Sequence, residues 1–404
     1  MFVLGAIAIQ VAVTGALIQP VTLNARLAST PPISRHAPVH STESHKEAVI
    51  VGGGPAGLAS AWILANRGFE VTLLERRTEP NPYEPQRAYL YLVDGRGQQF
   101  TDFAGITDDL SAPAFSVSSL NYTVTRCLPD GERVEAKPPI LEGNDDGRRP
   151  SYWIPRSAFL GLLTRALPSS VRCLYGSEVC ELRKTSSGGV EVVARTADAG
   201  AEVRLRPDLL VGADGLNSMV RAKCAEWCEA SLEGGSAKDF EPTVLPSPSS
   251  GLQYKMLRFP PAFALDAQDV GATAEPRKAY SIRPATEAPL GPTRLGLLPV
   301  ADPTYPRTAN VILPPGHPVW DLKTASAVRG WLTETFPSLP VDQVLSDTEA
   351  NAFAAEAPGS FPAPQYSPKQ YLVLPDAGIC LVGDAVHAFP PVRQLPPEAP
   401  PPSV

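Results

Sequence analysis

Residues 47–77, EAVIVGGGPAGLASAWILANRGFEVTLLERR, restrict this chain to one local architecture: strand, glycine-rich turn, helix, second strand. Ala48 to Val51 is the short apolar run of a buried parallel strand, and Gly52, Gly54 and Gly57 fall at the spacing G-x-G-x-x-G. Each glycine answers a different constraint. Gly52 permits the tight turn, Gly54 lets the backbone approach a pyrophosphate, and Gly57 lets the helix pack close on the strand. The helix expected from Pro55 to Arg67, opening on Pro55 and Ala56, turns its positive N-terminal end toward that pyrophosphate. Val71 to Leu74 reads as the second strand. Glu75, at its carboxyl end, is placed to accept hydrogen bonds from an adenosine ribose diol and to repel a 2′-phosphate, which favours FAD or NAD over NADP at this site.

With 404 residues there is material for two or three domains with real cores. The six cysteines, Cys127, Cys173, Cys180, Cys224, Cys228 and Cys380, are scattered. Cys224 and Cys228 lack a second Cys or His pair to complete a zinc site, so buried free thiols and no metal are expected. A net charge of −7 without a basic run argues against nucleic acid and for a small-molecule partner. Residues 1–46 stand apart. Phe2 to Ile18 is apolar and uncharged, Arg26 and Arg35 are the first charges, and no acid appears before Glu43. The start suggests a signal peptide or membrane anchor with membrane contact through residues 2–18, and the acid-poor continuation suggests an organellar transit peptide. The expectation is a leader to a plastid or mitochondrion.

Two further segments repeat the theme of a strand running into a small acidic turn. In DLLVGADGLNSMVR, residues 208–221, Leu209 to Ala213 is a strand that ends on Asp214 and Gly215, ahead of a helix with Ser218 and Arg221. At the carboxyl end of such a strand an Asp points at a ligand crevice; the alternative is an Asp-Gly turn with a helix cap. In ICLVGDAVHAFPP, residues 379–391, Ile379 to Val382 runs into Gly383 and Asp384, with His387 in a supporting role. An Asp directly after a glycine reaches a cofactor's hydroxyls without hindrance from its neighbour.

The three motifs, in this order, resemble the FAD-dependent aromatic hydroxylases, single-component flavoprotein monooxygenases with the fold of p-hydroxybenzoate hydroxylase. The resemblance runs from about residue 47 to 391. It implies that FAD is held by Gly52, Gly54, Pro55, Ala56, Gly57, Glu75 and Arg77, with Asp214 and Gly215 near the pyrophosphate and a nicotinamide path. Gly383 and Asp384 would meet the ribityl chain, and Pro391 would stand beside the reactive edge of the flavin. Arg156, in SYWIPRSAFLGLLTRAL, matches an arginine before a helix that closes over the cofactor. NADH or NADPH would serve as cosubstrate and O2 as oxidant, with one oxygen atom passed to an aromatic ring; no residue is singled out as a catalytic acid or base. RAYLYLVDGRGQQF, residues 87–100, resembles kynurenine 3-monooxygenases, in which an arginine grips the substrate carboxylate; Arg87 is the matching position. Tyr89 and Tyr91 share a strand face, as a substrate platform or as packing. An isoprenoid reductase or epoxidase of the same fold, and a non-catalytic family member, are the alternatives.

The expected fold is α/β, a Rossmann-type FAD-binding domain from residues 47–115, 150–223 and 365–391, with an inserted, mostly antiparallel substrate domain from 116–149 and 224–364. Its sheet is read from residues 119–136, with a turn at Pro129 to Gly131, and from Gly251 to Leu313. AYSIRP, RLGLLPV and WLTETFPSLP supply strand, strand and helix, and the stretch from Gly234 to Gly251 reads as a surface connection. After Pro391 the family pattern calls for Gly-x-Gly-x-Asn and a long helix. Here the chain reads VRQLPPEAPPPSV, with Gln394, Pro396 and Glu398 at those positions, so a proline-rich disordered tail on a C-terminally truncated member is expected.

Overall fold

The computed structural model describes residues 46–80, 90–121, 123–136, 149–197, 200–231, 236–269, 271–302 and 305–389. The leader expected before Lys46, together with Arg87, Tyr89, Pro391 and the tail, lies outside the described residues. Among the described residues, no helix is long and apolar enough to cross a membrane, and no cluster of three potential metal ligands occurs.

The first apolar run forms the strand Glu47–Val51 near the middle of a six-stranded sheet. Its order is Tyr371–Leu374, Ala377–Leu381, Leu209–Gly212, Glu47–Val51, Glu70–Glu75, Arg172–Tyr175. All neighbours are parallel except the hairpin of 371–374 with 377–381. Parallel strands are covered on both faces, so they read as unbroken apolar runs rather than alternating ones. Val49, Ile50, Leu73, Leu74, Leu210 and Val211 accordingly sit at 2% exposure or less. One face is covered by the helices Pro55–Ala65 and Arg156–Ala166, through Leu58, Phe159 and Leu162. The other is covered by the strands Ser177–Lys184 and Val190–Thr196 and by the helix Met219–Ser231.

Two of the expected limits move. The boundary at 223/224 falls inside the 219–231 helix, whose Cys224, Trp227 and Cys228 pack on the FAD-domain sheet together with Phe240. The stretch from Gly234 to Gly251 is more than a surface connection. Phe240 and Ser249 are buried, and Thr243–Val244 pairs with Gln365–Tyr366. Nor are all thiols buried: Cys127, Cys224 and Cys228 are, Cys173 and Cys380 are half-buried, and Cys180 is exposed.

The substrate domain is built on a seven-stranded sheet, in order Gly359–Ser360, Gln253–Phe259, Arg307–Leu313, Leu295–Leu297, Ala279–Ile282, Val124–Cys127, Arg133–Ala136. It is antiparallel except where 279–282 meets 124–127. The turn of the 124–136 hairpin uses Gly131 at φ +88°. Leu257, Ala309, Leu297 and Tyr280 face the helices Ala325–Thr335 and Asp347–Ala355 through Val328, Trp331 and Phe353. This is the strand, strand and helix order expected of AYSIRP, RLGLLPV and WLTETFPSLP. Arg307 is fully buried, and its guanidinium donates to the carbonyls of Lys278, Glu275 and Pro276, tying the chain ahead of 279–282 to the strand 307–313, which lies beyond 295–297 in the sheet.

Candidate functional site: the crevice at the strand ends

The carboxyl ends of 47–51, 70–75, 209–212 and 377–381 lie at one end of the sheet, and the three strand-and-turn motifs begin there. Backbone hydrogen bonds lock the exits together: Gly52 N–H donates to Leu74 O at 2.8 Å, Ala213 N–H to Val51 O at 2.8 Å, and Val382 N–H to Gly212 O at 2.9 Å.

The glycines separate into those the protein needs and one it does not. Gly52 lies at φ +106°, and a Cβ there would stand 2.3 Å from Ala213 O. A Cβ on Gly57 would stand 1.9 Å from Gly52 O, because the helix rests directly on the turn. Gly54, at φ −75°, would place a Cβ in open space with no protein atom within 4 Å. Protein packing therefore accounts for Gly52 and Gly57 but not for Gly54. Gly54 caps the helix with no side-chain hydrogen bond, and Pro55 follows, so the first turn presents backbone donors uncovered toward that open space. A pyrophosphate fits this cradle in charge and in shape.

Glu75 is buried, and its Oε2 accepts Gly53 N–H at 2.6 Å. Arg77 donates to both carboxylate oxygens and reaches Gly53 O at 3.1 Å. Burial works against the charged carboxylate, but the hydrogen bonds from Arg77 and Gly53 outweigh it and hold Glu75 below its ordinary range. The sequence reading treated Glu75 as a lone acid. With Arg77 against it the pair is close to neutral, so the repulsion that a lone acid would exert on a 2′-phosphate is largely cancelled. Gly53, which the sequence reading passed over, is the donor that fixes this carboxylate. The signal was the middle glycine of the GGG run, whose Cβ would stand 2.9 Å from Glu75 Oε2.

Asp214 takes the helix-cap alternative. Its Oδ1 accepts from Ser218 Oγ at 2.6 Å and its Oδ2 from Val220 N–H at 3.1 Å, while Ser218 Oγ accepts Arg221 N–H at 2.9 Å. The carboxylate expected to point at the cofactor is instead committed to the start of the 219–231 helix. Gly215, at φ +84° with free space around its Cβ position, turns the chain away beside it. Arg221 then joins two motifs, donating to Leu216 O at 2.8 Å and to Ala385 O at 2.7 Å. The turn Gly383–Ala385 is thereby held against the Asp-Gly turn.

Asp384 is open to solvent on one side. Burial by the surrounding protein nevertheless raises its carboxyl above the ordinary range, with His387 and Arg156 acting in the opposite direction. Arg156 begins the 156–166 helix directly after the strand Tyr152–Pro155, and its charge acts on Asp384. Gly383 is required for a reason other than the expected one: it lies at φ +61°, and a Cβ would stand 2.7 Å from Ala56 Cβ. The third motif thus packs against the first helix. Tyr91 is buried edge-on against Phe159 with ring centroids 5.8 Å apart, which is the packing role.

Residues 45–234 match the family model described as FAD binding domain. Over 175 residues the chain is 31% identical to FAD-dependent monooxygenase ausM of Emericella nidulans, covering 43% of this chain and 34% of that protein. Over 355 residues it is 28% identical to Kynurenine 3-monooxygenase of Salinispora arenicola, covering 85% of this chain and 67% of that one. The solved structure of the flavin-dependent monooxygenase PieE in complex with FAD and substrate shares the fold, with TM-score 0.58, 19% identity, and coverage of 87% of this chain and 55% of that one. The chain spans well under half the length of ausM. The fold is that of the flavoprotein hydroxylases. Residues 45–234 thus carry an FAD binding domain, and FAD is the cofactor that this match assigns to the crevice.

Proposed function

We propose that the protein is an FAD-dependent monooxygenase that uses NAD(P)H and O2 to hydroxylate an aromatic, kynurenine-like substrate. The observation that carries this reading is the convergence of three sequence-distant motifs on one crevice, beside a sheet domain whose order matches the hydroxylase fold. The kynurenine-like substrate is supported by the similarity of residues 87–100 and by the Salinispora arenicola relative.

When bound, FAD supplies the transfer of electrons from reduced nicotinamide and the activation of O2. The residues of the chain do the rest. The uncovered first turn of the 55–65 helix attracts the pyrophosphate, Glu75 accepts from the ribose, and Asp384 accepts from the polyol chain. Arg221 keeps the turns that carry Gly215 and Asp384 in register. The substrate domain excludes water and fixes the ring's orientation, which shortens the search for a reactive geometry. Arg87 would pair its guanidinium with a substrate carboxylate through two parallel hydrogen bonds. Residues 1–46 would direct the protein to a plastid or mitochondrion, which a fluorescent fusion of that segment tests.

The experiment is to load the purified chain with FAD and follow NADH and NADPH oxidation with and without L-kynurenine, identifying products by mass spectrometry. Substrate-stimulated oxidation with a product one oxygen atom heavier is expected. FAD binding without stimulation by any aromatic would refute the hydroxylase reading.

A further inference from the structure

Toward the C-terminal end of the helix Met219–Ser231, a thiol, an amine and a carboxylate from three separate segments close a triangle that the crevice does not use. Cys228 donates its thiol to Asp239 Oδ2 at 3.8 Å. Lys369 Nζ stands 3.7 Å from the same sulfur and 3.4 Å from the same carboxylate oxygen. The lysine is held in this position from both sides. Its backbone N–H donates to Asp239 O at 2.9 Å, Ser367 Oγ donates to Lys369 O at 2.7 Å, and the ammonium lies over the Phe240 ring, 5.6 Å from its centroid. Cys228 is fully buried, but the two side chains that touch its sulfur are 30% and 41% exposed, so the thiol lies a single side-chain layer beneath solvent. Cys224, one turn earlier, is the contrast. It is equally buried and makes no hydrogen bond among the described residues, and burial pushes its thiol up to about 12.

We propose that Cys228 and Lys369 are a modification site, joined by hydrogen peroxide into a reversible sulfur–nitrogen cross-link, with Asp239 as the proton acceptor. Peroxide reaches the sulfur when the half-exposed lysine swings aside. The thiol sulfur attacks one peroxide oxygen, the O–O bond breaks, and Cys228 becomes a sulfenic acid while the other oxygen leaves as water; sulfur loses two electrons and peroxide gains them. A sulfenic acid condenses with a nearby thiol or nitrogen, and here the nitrogen in contact is Lys369 Nζ. The ammonium gives one proton to Asp239 Oδ2, and the freed lone pair attacks Sγ. The N–S bond forms as the S–O bond breaks, and the departing hydroxide takes a second proton from the nitrogen and leaves as water. The first proton passes from Asp239 to solvent. A flexible four-carbon stem lets the amine close the remaining distance. The bond would clamp two supports of one turn. The helix 219–231 reaches Ala385 O through Arg221, and Ser367, two residues before Lys369, donates its N–H to Val386 O at 2.6 Å.

The test treats the purified full chain with hydrogen peroxide, digests it with trypsin without reductant, and reads the peptides by mass spectrometry. The expected product holds Cys228 and Lys369 in one species two hydrogen atoms lighter than its parts, uncleaved after Lys369 and released by dithiothreitol. Peroxide should also raise the thermal midpoint of wild type by about 5 °C, because the bond closes a loop spanning 141 positions, and dithiothreitol should reverse the rise. Cys228→Ser and Lys369→Arg should show neither change. Lys369→Arg keeps the positive charge beside Asp239, so a merely electrostatic role for the lysine would leave its response to peroxide like that of wild type. Asp239→Asn should slow cross-linking about tenfold or more. Midpoints before peroxide report whether each variant folds, and Cys228→Ser is the mildest change should the others misfold. Folded wild type in which peroxide leaves Cys228 a free thiol, carries it to a sulfinic acid with Lys369 intact, or joins it to Cys224 as a disulfide overturns the proposal. None of these readouts depends on FAD or on turnover.

Discussion

Gly54→Ala and Gly57→Ala, three positions apart in one motif, should fail in opposite ways. At Gly57 the new Cβ would stand 1.9 Å from Gly52 O, a backbone atom that cannot rotate aside. The helix must therefore retreat from the strand by about 1 Å or more, loosening Leu58, Ala59 and Ala61, which are at 1% exposure or less. Overpacking with lost contacts costs about 3 kcal/mol, which lowers the thermal midpoint by roughly 4 °C in a chain of this length. At Gly54 the Cβ meets nothing and φ is −75°. The weaker cap and the reduced entropy of the unfolded chain offset one another to within about 1 kcal/mol, so the midpoint should barely move. The methyl group instead occupies the approach to the helix terminus. A displaced pyrophosphate loses about 1–2 kcal/mol of attraction, or roughly five- to thirtyfold in FAD affinity. Differential scanning fluorimetry without FAD and a flavin-fluorescence titration with it separate the two effects. Equal destabilisation by both variants, or wild-type FAD affinity in Gly54→Ala, would show that the open space above Gly54 is not the pyrophosphate site.

Arg221→Met removes two charge-assisted bonds that join the turns at 216 and 385, so about 2–4 kcal/mol of stability and most FAD retention should be lost, read by midpoint and by flavin content after desalting. Glu75 has a folded pKa below its ordinary 4.5, so its contribution is present above that value and lost as the pH falls through the folded value; Glu75→Gln should flatten that acid limb in a melting series. Asp384 is shifted the other way, upward from 3.8, so without FAD it withdraws stability as the pH rises from there through its folded value. Asp384→Asn should raise the midpoint of FAD-free protein near neutral pH while weakening FAD binding, a pair of opposite signs that a purely structural Asp would not produce.

The FAD half of the fold was legible because its strands are buried on both faces and its turns need glycine. The apolar runs at 48–51, 71–74 and 209–212 and the fingerprint spacing survive with little dependence on the rest of the chain. What the sequence hid were pairings between distant residues. Arg77 neutralising Glu75, Arg221 reaching Ala385 across 164 positions, and Gly383 yielding to Ala56 are facts of assembly, not of local pattern. The role of Asp214 was not legible because an Asp-Gly pair at a strand end serves a ligand and a helix cap equally well in sequence. Only the positions of Ser218 Oγ and Val220 N–H decide between them.

The most direct test of the account is the visible spectrum of the purified chain after addition of FAD and removal of the excess, in wild type and in Gly54→Ala. The account predicts a near-stoichiometric flavin spectrum in wild type and clear loss in the variant, with both proteins equally folded. A folded wild-type protein that stays colourless would contradict the claim that these converging strand ends form a working FAD site.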